Sequence, residues 1–202
     1  MWIGHVPYAE AEGRLKTLYD RVKGPGDNVD NIMLAHSLRP HGMEGHMALY
    51  KAVLHHGSNR TPKWFLEAIG VGVSLANSCA YCVEHHFAGL RRLLGDDARA
   101  SAMRAALDSG DFEPAFTRPE SAALAYARAL TLAPQDSATL HALVSAMRDA
   151  GLDDGRILEV NQVAAYFNYA NRTVLGLGVS TDGDILGLSP GNSDNPEDWS
   201  HR

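Results

Sequence analysis

Cys79 and Cys82 are the only cysteines among 202 residues, and they stand in a C-x-x-C spacing with His86 four positions after the second. Glu67 lies twelve positions before Cys79 and is the only charged residue between Trp64 and Val83. Two thiols, an imidazole and a carboxylate held in apolar sequence are the parts of a thiol redox site. Thiolate is the reactive form of cysteine, and a neighbouring histidine or helix N-terminus favours it. A carboxylate on an apolar helix costs several kcal/mol (~3–5) unless it is paired or protonated, so Glu67 must meet a partner.

The chemistry these residues could do is a dithiol cycle. His86 takes the proton of Cys82 while Glu67 holds the ring in one tautomer. The Cys82 thiolate attacks a peroxide bond and becomes a sulfenic acid. Cys79 condenses with it, and an external dithiol reduces the disulfide. Proximity to His86 favours Cys82 as attacker; the helix dipole alone favours Cys79, and both assignments stand at this point.

Positioning falls to helices. Thr61-Pro62 opens a helix running to Ala76 that is apolar almost all round, and so central and buried. Gly70 and Gly72 within it are expected to admit a neighbouring backbone. Asn77-Ser78 breaks the chain, and a second helix, capped by Ser78, begins at Cys79. On that helix Cys79, Cys82 and His86 share an arc of roughly 60°, while His85 lies about 100° away. An antiparallel return would bring Glu67 to the thiol face.

The rest of the pattern is helical too: Glu10 to Val22, Asn31 to Leu54 broken in two by Pro40 and Gly42, Asp96 to Leu107, Pro119 to Leu132, Ser137 to Ala150, and Asp153 to about Leu175. Asp111 to Thr117 is a connector, and no alternating strand segment occurs. The reading is an all-α domain over residues 1–179. An irregular tail, 180–202, carries Ile185, Leu186, Leu188 and Trp199, which implies packing on its own domain or a neighbouring subunit. Leu66-Glu67 to Cys79 and Leu158-Glu159 to Asn171 share one spacing, an echo that fits a duplicated helical unit or chance.

The net charge of −6 argues against nucleic-acid binding. No apolar run is long enough for a membrane span, and the N-terminus lacks the pattern of a secretory signal. A cytoplasmic protein is expected. Two cysteines do not make a disulfide scaffold.

Glu, eleven residues, then C-x-x-C-x-x-x-H resembles the active-site motif of the alkylhydroperoxidase AhpD family, in the carboxymuconolactone decarboxylase-like superfamily. Glu67, Cys79, Cys82 and His86 match it position by position. AEAEGRLKTLYDRV, NIMLAHSLRPHGMEGHMALYKAVLHH, NSCAYCVEHH and FNYANRTVLGLGV resemble the branch of uncharacterised peroxidase-related enzymes, over roughly Val6 to Val179. The resemblance implies an AhpD-like helical bundle, a homo-oligomer, and reduction of hydrogen peroxide or organic hydroperoxides through the cysteine pair. It implies no bound cofactor or metal, and an external dithiol or lipoyl-type reductant. Where AhpD has a histidine between its cysteines, this chain has Tyr81.

Blander readings accompany these. The C-x-x-C with His86 and Glu67 could hold zinc, or be structural. The chain could be a non-enzymatic redox sensor, or a decarboxylase-like relative acting on another small molecule. Glu67 could be satisfied by a Trp or Tyr donor. His85 is read as packing or facing solvent. Tyr81 is read as a core aromatic that could line the peroxide pocket. Among the histidines at 36, 41, 46, 55 and 56, His36 is the best candidate to approach that pocket. Asn168 and Asn171 are read as helix–helix or subunit contacts.

Overall fold

The structure is a computed structural model that describes all residues, Met1–Arg202. Nine α-helices follow in order: α1 Gly13–Val22, α2 Asn31–Ala35, α3 Pro40–Leu54, α4 Lys63–Ala76, α5 Ala80–Leu94, α6 Asp97–Ser109, α7 Arg118–Leu132, α8 Ser137–Asp149 and α9 Asp154–Leu177. There is no strand, only an isolated bridge between His56 and Ser193. No helix is long and apolar enough to cross a membrane.

The boundaries follow local chemistry. Asp96, Asp136 and Asp153 each accept the backbone N–H three residues on, capping α6, α8 and α9. Thr117 and Glu120 form a capping box at α7. Three sequence expectations shift. Residues 8–10 form a separate 3₁₀ turn, so α1 starts at Gly13 and not Glu10. Pro40 occupies the first turn of α3, and Gly42 lies inside that helix without breaking it. At α4 the N-cap is Pro62 and not Thr61; the N–H groups of Arg60 and Thr61 donate instead to Glu159 of α9.

Helix α4 is the axis of the bundle. It packs on α5, α9, α7 and α6, and every residue from Phe65 to Val71 is buried. Its glycines serve side chains, not a neighbouring backbone. A Cβ at Gly70 would overlap the Phe167 ring, whereas one at Gly72 would only touch Leu107, at 3.4 Å. Phe167 in turn stands edge-on to the His86 ring, centroids 4.5 Å apart. Gly70→Ala is therefore expected to lose about 1–3 kcal/mol through overpacking, despite alanine's helix preference. Chemical denaturation should show the loss, and the histidine ring signals should report a displaced His86.

The Leu158-Glu159 to Asn171 stretch runs inside the unbroken helix α9, whereas Leu66-Glu67 to Cys79 runs along α4 and out through a turn. The two stretches share a spacing but not a local structure.

The tail, 180–202, has no helix and lies on its own domain as a strap. Trp199 is buried under the Arg21 guanidinium, 3.7 Å from the ring centroid. The buried Lys51 ammonium donates to Gly191 O at 2.6 Å and to Ser193 Oγ at 2.9 Å. Gly187, at φ +80°, sits so close to α5 that a Cβ would come within 2.9 Å of the backbone at Ala88 and Gly89.

Candidate active site

The turn between α4 and α5 sets the thiols. Ser78 is in the left-handed region at φ +57°. Cys79, not Ser78, is the N-cap of α5. Cys82 is therefore in the first turn, with its sulfur beside that of the capping cysteine. Both are free thiols and buried.

Glu67 reaches the same place from α4. Its Oε2 accepts from His86 Nδ1 at 2.6 Å, with the carboxylate 2 % exposed and the imidazole 15 %. Because an ionised carboxylate only accepts, the ring proton resides on Nδ1 and Nε2 is left as the base. Gly89 gives the carboxylate room, a Cβ there falling 3.6 Å from Glu67.

Cys82, Glu67 and His86 line one cavity of about 40 Å³, with Tyr81, His85, Tyr50 and Tyr166 on its walls. The strap contributes Gly187, Leu188, Ser189 and His201 to its lining. Cys79 borders a different, wider groove of about 440 Å³ with Ser78, Glu84 and Arg104. Its own surface is nonetheless fully covered. The two sulfurs lie side by side, but only Cys82 lines the cavity that holds Glu67 and His86.

The two thiols share their protons unequally. Hydrogen bonding from Cys82 holds Cys79 below the ordinary thiol value against the effect of burial, and Asn171 adds to this. The same hydrogen bond, followed by burial, pushes Cys82 well above it. In the unfolded chain both thiols titrate near ~8.5. Stability of the reduced protein is expected to rise with pH from the lowered Cys79 value up to about 8.5, where the unfolded chain holds one proton more. Above about 8.5 it should fall, since the folded state still retains the Cys82 proton. Urea midpoints across this range, with the disulfide form as a flat reference, measure it.

The asparagines of α9 serve this region. Asn77 donates to Asn168 at 3.0 Å and Asn171 at 2.9 Å, and Asn171 donates to Ser74 at 3.0 Å, tying α9 to the α4–α5 turn. They are helix–helix contacts, and Asn171 also bears on the thiols.

Two histidines fall elsewhere than the sequence indicates. His36 does not line the cavity; it bonds Ile32 O through Nδ1 and stacks on His46, which does, at 5.0 Å. His85, expected to pack or face solvent, is on the cavity wall, where its Nε2 meets Asp184 Oδ2 at 3.0 Å. Tyr81 is both buried and lining; its hydroxyl donates to Asp184 at 2.8 Å. Sequence reasoning missed Asp30, His46, Tyr50, Tyr166, Asp184 and His201, because they come from four separate segments. The apolar residues in the tail were the one signal that it would reach the site. Burial holds His46 at about 3 and lowers His201, so both rings are neutral.

Neither a family model nor a curated protein sequence matches the chain. Solved structures do. An AhpD-core, peroxidase-related protein from Ralstonia eutropha superposes with a TM-score of 0.69 at 23% identity, over 86% of this chain and 87% of that one. The fold is that of the AhpD-like proteins. A peroxidase-related protein from Silicibacter sp. agrees equally, TM-score 0.70 at 22% identity over 89% and 88% of the two chains. So does the debrominase Bmp8, solved with 2,3,4-tribromopyrrole, TM-score 0.70 at 16% identity over 90% and 91%. In this chain the Glu67–His86 pair and the two thiols occupy the α4–α5 junction, the most extensive helix contact of the bundle.

Proposed function

We propose that this protein is a dithiol peroxidase acting on hydrogen peroxide and other small hydroperoxides. The observation that carries the reading is the buried Glu67–His86 pair on the one cavity that Cys82 lines. His86 Nε2 receives the Cys82 proton, and Glu67 stabilises the resulting imidazolium. The thiolate attacks the proximal peroxide oxygen, the O–O bond breaks, and the departing alkoxide or hydroxide takes the proton from His86. Cys82 is then a sulfenic acid. Cys79 attacks that sulfur, water leaves, and the disulfide closes. An external dithiol restores both thiols by two exchanges, as a reducing cytoplasm would allow.

The AhpD fold also carries a debrominase, and the aromatic walls of Tyr50, Tyr81 and Tyr166 would suit a planar substrate. Size favours the peroxide. A dry cavity of about 150 Å³ is needed for a benzene-sized ring, against room here for about three waters. Hydrogen peroxide fits without moving the strap. Leu188→Ala, which trims the strap's wall, is expected to raise kcat/KM for cumene hydroperoxide by roughly tenfold over that for hydrogen peroxide.

The test is steady-state turnover. Reduced protein is mixed with hydrogen peroxide and a panel of dithiols, dihydrolipoamide included, while peroxide and free thiols are followed. Consumption of many equivalents, with thiols recovered at the end, supports the reading. Loss of both thiols once, without further peroxide consumption under any dithiol, overturns it.

A further inference from the structure

A second polar cluster adjoins the cavity, with Asp30 and His85 in its lining, and the peroxidase chemistry does not use it. Asp30 is the N-cap of α2, a position where aspartate ordinarily accepts from its own helix. Here it does not. The N–H of Asn31 donates instead to both oxygens of Asp184, at 3.0 and 3.1 Å, so the strap supplies the cap. The displaced Asp30 carboxylate makes no hydrogen bond, although its residue is only 9 % exposed. It faces His85 and Asp184, and one ligand atom from each of the three lies within 4.8 Å of the others. His201 Nε2 approaches Asp30 Oδ2 from the strap at 3.7 Å. Two carboxylates and an imidazole thus converge with no cationic side chain of Lys or Arg among them, and Asp30 has only the 3.7 Å approach of His201 and no hydrogen bond.

We propose that Asp30, His85 and Asp184 form a binding site for a first-row divalent cation, with His201 as the nearest further donor. Mixed imidazole and carboxylate ligands suit zinc, cobalt, manganese or iron(II) better than magnesium or a sulfur-seeking ion. Ligands ~2.0–2.1 Å from a tetrahedral metal are about 3.4 Å apart; the 3.0 Å between His85 and Asp184 and the 3.7 Å between His201 and Asp30 bracket this, and Asp30, within 4.8 Å of His85 and Asp184, closes in on binding. Supporting contacts are already in place: Tyr81 donates to Asp184 and accepts from Ile32 N–H at 3.2 Å. On binding, His85 Nε2 becomes the ligand and its ring proton moves to Nδ1. Two ligands belong to the helical body and Asp184 to the strap, so the ion would clasp the strap across the thiol cavity.

Cobalt(II) is the probe, and C79S/C82S the protein, so that no sulfur can compete. Equilibrium titration with optical spectra and metal analysis after gel filtration is expected to give one retained ion with nitrogen–oxygen character. Asp30→Asn and His85→Gln should each weaken binding by more than 10–100-fold, and Tyr81→Phe, which keeps the ring packing, by about tenfold. Failure to retain cobalt, or retention with undiminished affinity in His85→Gln and Tyr81→Phe, overturns the site. Because the double serine protein has no dithiol cycle, either result is independent of the peroxidase reading.

Discussion

Cys82→Ser is expected to cut dithiol-dependent peroxide turnover by about 10³-fold or more, the scale of removing a nucleophile. Cys79→Ser should stop cycling as well, but it should leave one stoichiometric reaction, with a sulfenic acid on Cys82. The distinction rests on where each sulfur faces. Cys82 lines the cavity that holds Glu67 and His86, whereas Cys79 is fully covered and turned toward the groove with Arg104. Proton sharing points the other way, because Cys79 is the thiol held low and Cys82 the one held high. The two are reconciled by the base in the cavity: as peroxide arrives Cys82 gives its proton to His86 Nε2, so the sulfur with access becomes the thiolate. Trapping with a sulfenic-acid reagent and peptide mass spectrometry decides it. Label on Cys79 in Cys82→Ser, with none on Cys82 in Cys79→Ser, would reverse the assignment.

The sequence made the central helix pair legible because its signals are local. An unbroken apolar run with one acid marks a buried helix that needs a partner, and Cys82 and His86 one turn apart mark the face that supplies it. With the chain reversal at Asn77-Ser78, these signals anticipate the contact of Glu67 with His86 at 2.6 Å over the alternative of a Trp or Tyr donor. What escaped depends on long-range placement. His85 reads as packing or facing solvent; it packs, but its polar partner, Asp184, lies in a tail whose composition promises little order. Asp30 drew no attention because nothing local shows that Asp184 takes over the cap of α2. Gly70 and Gly72 are expected from sequence to admit a backbone; only Gly70 is a close approach, and what approaches it is the Phe167 ring, which α9 decides. The Ser78 cap failed for a local reason of a different kind. The left-handed turn at Ser78 moves the cap one residue on, and this places a thiol where a hydroxyl is usual.

His86→Leu is expected to damage the protein twice, in chemistry and in stability. It removes the base that serves Cys82, worth about 10²–10⁴-fold in rate. It also strands the Glu67 carboxylate, which is 2 % exposed and has His86 as its one hydrogen-bond partner. Breaking a buried pair from one side costs about 3–5 kcal/mol, less what the acid recovers by taking up a proton. Removing both members is a milder change, because no charge is then buried. Glu67→Met/His86→Leu should therefore be more stable than His86→Leu alone, by about 2 kcal/mol or more, while remaining as inactive. Glu67→Gln separates the two roles. The amide oxygen still accepts from Nδ1, so folding should lose only about 1 kcal/mol, yet the imidazolium has lost its counter-charge and turnover should fall by about 10²-fold or more. Urea unfolding and peroxide kinetics on the four proteins test this together. Glu67→Gln with full activity would leave the carboxylate a structural anchor and take the relay away from it. A double variant no more stable than His86→Leu would mean that the loss came from packing around Phe167, whose edge contact with the His86 ring is removed in both.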